Sequence, residues 1–293
     1  MATPTSFPYT IIDAFSSSPF SGNPAAVIFI EDELKEIFTE DNLRKIAAEF
    51  NLSETAFISP TSTRGTYNLR WLTPTEEVNL CGHATLASGF ALSLRPELSD
   101  IETFKFNTLS GELTTRKLPD GSLELNFPAI MPQEITGSEY AEYEEAIKRS
   151  IVGSSPKIKG IFAEEKYLVV EFDESASEQL GDWQVNVEHL RIQKHPLVGF
   201  TAQTKTGSRP HIVTRVFGPL LGVNEDPVTG SYHCALAPFW STRLSGFKSG
   251  DEIVGVQGGP RKGEIRCVWL EAEQRVLLRG SAFEVATGTM RVA

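Results

Sequence analysis

The sequence predicts an α+β fold in two halves of similar plan, each a sheet of short strands wrapped around one apolar helix. Three observations carry this. Strand-like segments outnumber helices and do not alternate with them one for one, which argues against a parallel doubly wound sheet. Each half holds one small-residue apolar stretch that reads as a buried helix: Thr75–Leu94 (TEEVNLCGHATLASGFALSL) and Gly222–Trp240 (GVNEDPVTGSYHCALAPFW). The two stretches also resemble each other, with acids, then a Gly-containing turn, then the helix. Setting Gly82 on Gly230 puts Glu77 on Glu225 and His83 on Ser231; a shift of two puts Ala84 and Thr85 there instead. Both registers stay open on sequence alone. Either gives halves of about 140 residues, the size of one domain.

In chain order, strands are expected at Tyr9–Phe15 and Ala25–Ile30, separated by Ser-, Gly- and Pro-rich turns. Leu43, Ile46, Ala47 and Phe50 fall at helical spacing and predict a helix beginning near Thr39 and closed by Asn51–Glu54. Further strands are expected at Thr55–Ile58, Tyr67–Leu72, Thr103–Phe106, Glu112–Lys117 and Ser122–Phe127. Phe127–Pro132 reads as the crossover between halves. Beyond it come a helix over Ser138–Ile151 and strands at Gly160–Phe172, Leu197–Thr204 and His211–Phe217. After the Gly222–Trp240 element, the chain closes with strands at Ile253–Gln257, Ile265–Leu270, Arg275–Leu278 and Ala282–Val285. The expected division is residues 1–128 with 283–293 in one lobe and 129–282 in the other.

Composition narrows the function. The 293 residues carry a net charge of −11, with 40% hydrophobic and 22% charged residues, as in a soluble globular protein. No Lys/Arg block is present, so neither nucleic acid nor an anionic membrane is an expected partner. The N-terminal MATPTSFPYT lacks the pattern of a signal peptide, and the longest uncharged apolar run, Ala84–Leu94, is too short to span a bilayer. Three cysteines, Cys81, Cys234 and Cys267, form no CxxC, so reduced thiols and a cytoplasmic location are expected.

Several chemistries lack their signatures. There is no phosphate-binding GxxxxGK[ST], no GxGxxG after a strand, no HExxH and no GxSxG. The five histidines show no metal-ligand spacing, so no metal is expected. A proton-transfer set remains. Glu54 lies where a helix ends and a strand begins. His83 follows Gly82 into the first helical turn, where the dipole disfavours a cation and favours a neutral, hydrogen-bonding imidazole. Asp226 precedes Pro227, and Ser231 follows Gly230 at the second helix start. A solvated loop glutamate, a structural histidine, turn chemistry and a helix cap are the plain alternatives for the four. The donors at each helix start suit a carboxylate or other anion.

Four segments, taken in order, resemble the PhzF-like family, relatives of the phenazine-biosynthesis isomerase: Asp13–Phe15 with Pro19–Val27; Asn51–Phe57; Arg70–Pro74 with Leu80–Ala87; and Glu225–Ser231. The resemblance implies a diaminopimelate-epimerase-like fold, with two pseudo-symmetric lobes, each a curled, mostly antiparallel sheet around a central helix. It implies a homodimer, no cofactor, and a site in a cleft toward which both helix starts point. Glu54 would be the acid/base moving a proton between carbons of a small cyclic, unsaturated amino acid, so Glu54 and Asp226 would share one solvent-poor gap. His83, Asp226 and Ser231 would bind and orient this anionic or zwitterionic metabolite, with Gly82, Gly230 and Asn23 beside them and Asp226 a candidate partner in proton handling.

Two rivals are weighed against this. A cofactor-free racemase or epimerase would pair cysteines across the cleft; Cys81 holds one such place, but the other falls on Thr229 or Pro227, which leaves only a mixed Cys81/Asp226 pair. A non-catalytic homologue binding a small ligand is the second rival, and it would have little need of the acid.

Overall fold

A computed structural model describes residues 5–292. Its contacts divide the chain into two compact units. The first holds the described residues up to Asn126 together with the segment from Arg279 onward; the second is Phe127–Leu278.

In the first unit the strands are β1 (Thr5–Ala14), β2 (Asn23–Phe29), β3 (Glu54–Pro60), β4 (Thr66–Leu72), β5 (Glu77–Val78), β6 (Thr103–Thr108), β7 (Gly111–Lys117), β8 (Leu123–Pro128) and, from the far end of the sequence, β20 (Ala282–Val292). They pair in the order β20–β1–β2–β3–β4–β6–β7–β8, antiparallel except for β2–β3 and β4–β6, with β5 beside the end of β4. Helix α1 (Glu40–Phe50) begins at Thr39, whose side chain accepts the Asn42 N–H, and stops at Asn51 in the left-handed conformation. Its Leu43, Ile46 and Ala47 pack with Phe7, Ile28 and Phe57. Helix α2 (Gly82–Ser93) packs against β1, β2, β3 and β7. Because it is enclosed, its apolar and small residues run all the way round; β2 and β3 under it carry continuous buried runs, whereas β7 alternates buried and more exposed residues.

The second unit repeats this plan. Its strands are β9 (Gln133–Glu134), β10 (Ile151–Val152), β11 (Ile158–Glu164), β12 (Tyr167–Phe172), β13 (Gln184–Val185), β14 (Leu197–Gln203), β15 (Ile212–Gly218), β16 (Val223–Asp226), β17 (Glu252–Gly258), β18 (Lys262–Leu270) and β19 (Arg275–Gly280), which ends at the boundary. The order is β9–β11–β12–β14–β15–β17–β18, with β12–β14 and β15–β17 parallel and the rest antiparallel. Alternate residues of β12 face opposite sides: Val169 joins the cluster around helix α4 (Gly230–Ser241), while Leu168 and Val170 join the one around helix α3 (Gly137–Ser150). All twelve residues of α4 are buried. Pro238 sits inside it without an N–H, and the carbonyl it leaves unserved, that of Cys234, accepts Ile130 N–H at 3.1 Å instead.

Two expectations are corrected, and one strand is added. Gly160–Phe172 is a hairpin of β11 and β12 rather than one strand; Glu165 takes a φ of 45° in the turn, with no Gly, Asn or Pro to announce it. The last strand runs on to Val292, not Val285, because it pairs with β1 over its whole length and Gly288 makes room for the Tyr9 ring. Val223–Asp226, assigned to no element from the sequence, is a short strand on β15.

Candidate active site

Both apolar helices begin on the glycine that the first register aligned, Gly82 and Gly230, and both are twelve residues long. Neither is capped by the side chain before it, Cys81 or Thr229. First-turn N–H groups without such caps are suited to an anion.

In the first unit, β2 and β3 run parallel with Ala25 opposite Glu54, so their first residues meet beside the start of α2. Gly22 makes this approach feasible: its φ is 71°, and a Cβ there would lie 2.3 Å from the Ala14 carbonyl oxygen. Asn23, wholly buried, then reaches His83, with Asn23 Nδ2 3.1 Å from His83 Nδ1. The amide donates, so Nδ1 is the acceptor and the imidazole proton is on Nε2. That nitrogen lies 3.3 Å from Glu54 Oε2 and 3.4 Å from Ser53 Oγ. His83 is 4% exposed and the Glu54 side chain 18%. Asn23, Glu54, Gly82 and His83 thus form one group. Ser53 joins it, a residue within the Asn51–Phe57 segment that was not singled out for a role.

Cys81 Sγ is 3.5 Å from His83 Nδ1. Among the described residues, Glu54, Cys81 and His83 each offer an atom within 4.8 Å of the others, a mixed donor set for a divalent ion. The two ring nitrogens, however, face different neighbours, Nδ1 toward Cys81 and Asn23 and Nε2 toward Ser53 and Glu54. This suits proton handling better than a shared ion.

In the second unit, Asp226 ends β16, and Oδ2 lies 2.6 Å from Thr229 Oγ1. Gly230 and Ser231 open α4. Ser231 hydrogen-bonds the phenol of Tyr167, whose pKa burial holds well above the usual tyrosine range. His233, one turn into the helix, donates from Nδ1 to the Thr229 carbonyl at 3.0 Å, and burial lowers its pKa to about 4. Burial likewise raises the Cys234 thiol to about 12, so it is an unreactive core residue. Gln257 on β17, not singled out in the sequence, holds the Asp226–Thr229 turn.

Each helix start also has an Arg–Glu fork behind it. Arg70 Nε and Nη2 bond Glu77 at 2.8 and 2.6 Å, and Arg215 Nε and Nη2 bond Glu225 at 2.8 and 2.7 Å. Both glutamates stand five residues before their helix glycine, so the duplicated plan extends to the ion pairs. A groove of about 470 Å³ lined by Tyr9, Asn42, Lys45 and Met290 contains none of the residues above.

The fold and site have counterparts among known proteins. An uncharacterized isomerase of Pseudomonas aeruginosa is 39% identical over 282 residues, covering 96% of this chain and 97% of that protein. The crystal structure of a PhzF-family phenazine biosynthesis protein from Enterococcus faecalis is 34% identical, with a TM-score of 0.83, and covers 98% of this chain and 100% of that one. A hydroxyproline epimerase from Agrobacterium vitis, at 12% identity, shares the fold with a TM-score of 0.59 over 98% of this chain and 93% of its own. The molecule is therefore an isomerase with an epimerase-like α+β fold. It belongs to the phenazine biosynthesis-like protein family (PhzC/PhzF), which it matches over residues 12–288.

Proposed function

We propose that this isomerase moves a proton between two carbons of a small cyclic, unsaturated metabolite bearing amino and carboxylate groups, with Glu54 as acid/base and no cofactor. The observation that carries the reading is the line Asn23–His83–Glu54. The Asn23 amide fixes the His83 tautomer, and the Nε2–H so presented lies beside the Glu54 carboxylate, with Nε2 3.3 Å from Oε2. Glu54 takes a proton from one carbon, and the C–H electron pair shifts along the conjugated system. The carboxylic acid so formed then gives the proton to a second carbon. The base ends as it began, and the substrate is an isomer of the same composition.

The start of α2, uncapped by a side chain, supplies backbone donors for a substrate carboxylate, with Gly82 permitting close approach. Asp226 and Ser231 are assigned to substrate binding at the start of α4, Asp226 also sharing in proton handling. A two-thiol racemase is disfavoured, because Thr229 stands where the second thiol would be needed.

The test is proton exchange. Small cyclic amino acids with one or two ring double bonds are incubated with the protein in D₂O and followed by NMR. Glu54→Gln is expected to remain folded and to lose deuterium uptake by several powers of ten. Uptake at the parental rate would remove Glu54 from the role.

A further inference from the structure

Thr229 stands at the position before α4 where a threonine hydroxyl ordinarily accepts from the helix's own first-turn N–H groups, yet it makes no such bond. Its Oγ1 lies 3.0 Å from Gln257 Nε2 and 2.6 Å from Asp226 Oδ2. The direction of these bonds follows from a third. Gln257 Oε1 accepts the Thr229 N–H at 3.0 Å, which fixes the amide's orientation and makes Nε2 the donor. Nε2 gives its protons to the Asp226 carbonyl, at 2.9 Å, and to Thr229 Oγ1. The single hydroxyl proton of Thr229 then goes to the Asp226 carboxylate.

We propose that Gln257 and Thr229 are positioning residues for Asp226, a one-way hydrogen-bond relay that keeps Oδ2 an acceptor and fixes the orientation of the carboxylate. The assignment rests on the reading of Asp226 as a substrate-contacting residue. Gln257 is suited to the task. It is fully buried on β17, opposite Thr214 of β15, and its amide does not titrate. Beside this corner Glu225 is tied to Arg215, and His233 is bonded to the Thr229 carbonyl. Substituting Thr229 or Gln257 changes none of these charges. The first unit has no counterpart, since Cys81 takes the place of Thr229 before α2.

The test needs no substrate. The full-length protein is labelled with ¹³C at aspartate carboxyls, the Asp226 signal is assigned by its loss in Asp226→Asn, and its chemical shift at pH 7 is compared between variants. Thr229→Val is expected to move the signal, because one charge-assisted hydrogen bond is lost. Thr229→Ser keeps the hydroxyl and is expected to leave the signal at the parental position. Gln257→Leu, read independently should Thr229→Val fail to fold, is expected to move it in the same direction, because the hydroxyl is released to rotate. A parental signal in Thr229→Val, or in Gln257→Leu, overturns the relay, as does a displacement in Thr229→Ser as large as in Thr229→Val. Deuterium exchange by Asp226→Asn is read separately: exchange at the parental rate would remove Asp226 from the proposed reaction and leave the NMR result standing.

Discussion

At the scale of single residues, burial decides which groups respond to acid. His233 is wholly buried, and desolvation lowers its pKa from 6.5 to about 4. The folded protein therefore keeps it neutral where the unfolded chain would take up a proton. Its contribution to stability is complete above pH 6.5 and is lost as the pH falls from 6.5 toward 4. Between pH 7 and pH 5 the loss is about 2 kcal/mol. His233→Asn, which can still donate toward the Thr229 carbonyl, is expected to flatten that part of the curve, read as urea midpoints at the two pH values. Much of the candidate site at this scale was legible in the sequence. Glu54, His83, Asp226 and Ser231 sit beside turn and helix-start signals that local pattern reading detects. Ser53, Tyr167 and Gln257 were not legible, because their roles come from partners far along the chain. Gln257, for one, reaches back 28 residues to Thr229.

At the scale of elements, the duplicated Arg–Glu forks stiffen the approach to each helix, but their surroundings differ. The Arg215 side chain is 6% exposed and also donates from Nη1 to the carbonyls of Leu180 and Trp183. Arg70 is 34% exposed and is shared with Glu40, itself 66% exposed. Arg215→Met would leave a largely buried carboxylate and two carbonyls without their donor, an expected cost of about 3 kcal/mol or more. Arg70→Met is expected to cost about 1 kcal/mol, since water can replace the lost partner. Equal losses in chemical denaturation would contradict this account. The helices and most strands were readable from periodicity because each has a face to bury. The β11–β12 turn was not, since Glu165 enters the left-handed region without a residue that favours it. Choosing between the two helix registers needed the structure, which starts both helices on their glycines.

At the scale of the whole molecule, the two units differ in how they are closed. Phe127–Leu278 is one continuous segment with two apolar clusters of its own. The other unit depends on β20, which lines β1 and adds Met290 and Val292 to the cluster around Phe7 and Phe57. Residues 127–278 expressed alone are expected to give a dispersed amide NMR spectrum, whereas residues 1–126 alone are expected to give a collapsed one. A well-dispersed spectrum from 1–126 would show that β20 is dispensable.

The borrowed strand also sets a timetable on the ribosome. The strand β1 must wait for β20, made about 270 residues later, before its edge is covered. At about 5–20 residues per second, translating the intervening segment takes on the order of ten seconds. During that interval the strand that β20 will cover lies bare, and nascent chains of this protein are expected to engage chaperones through that edge.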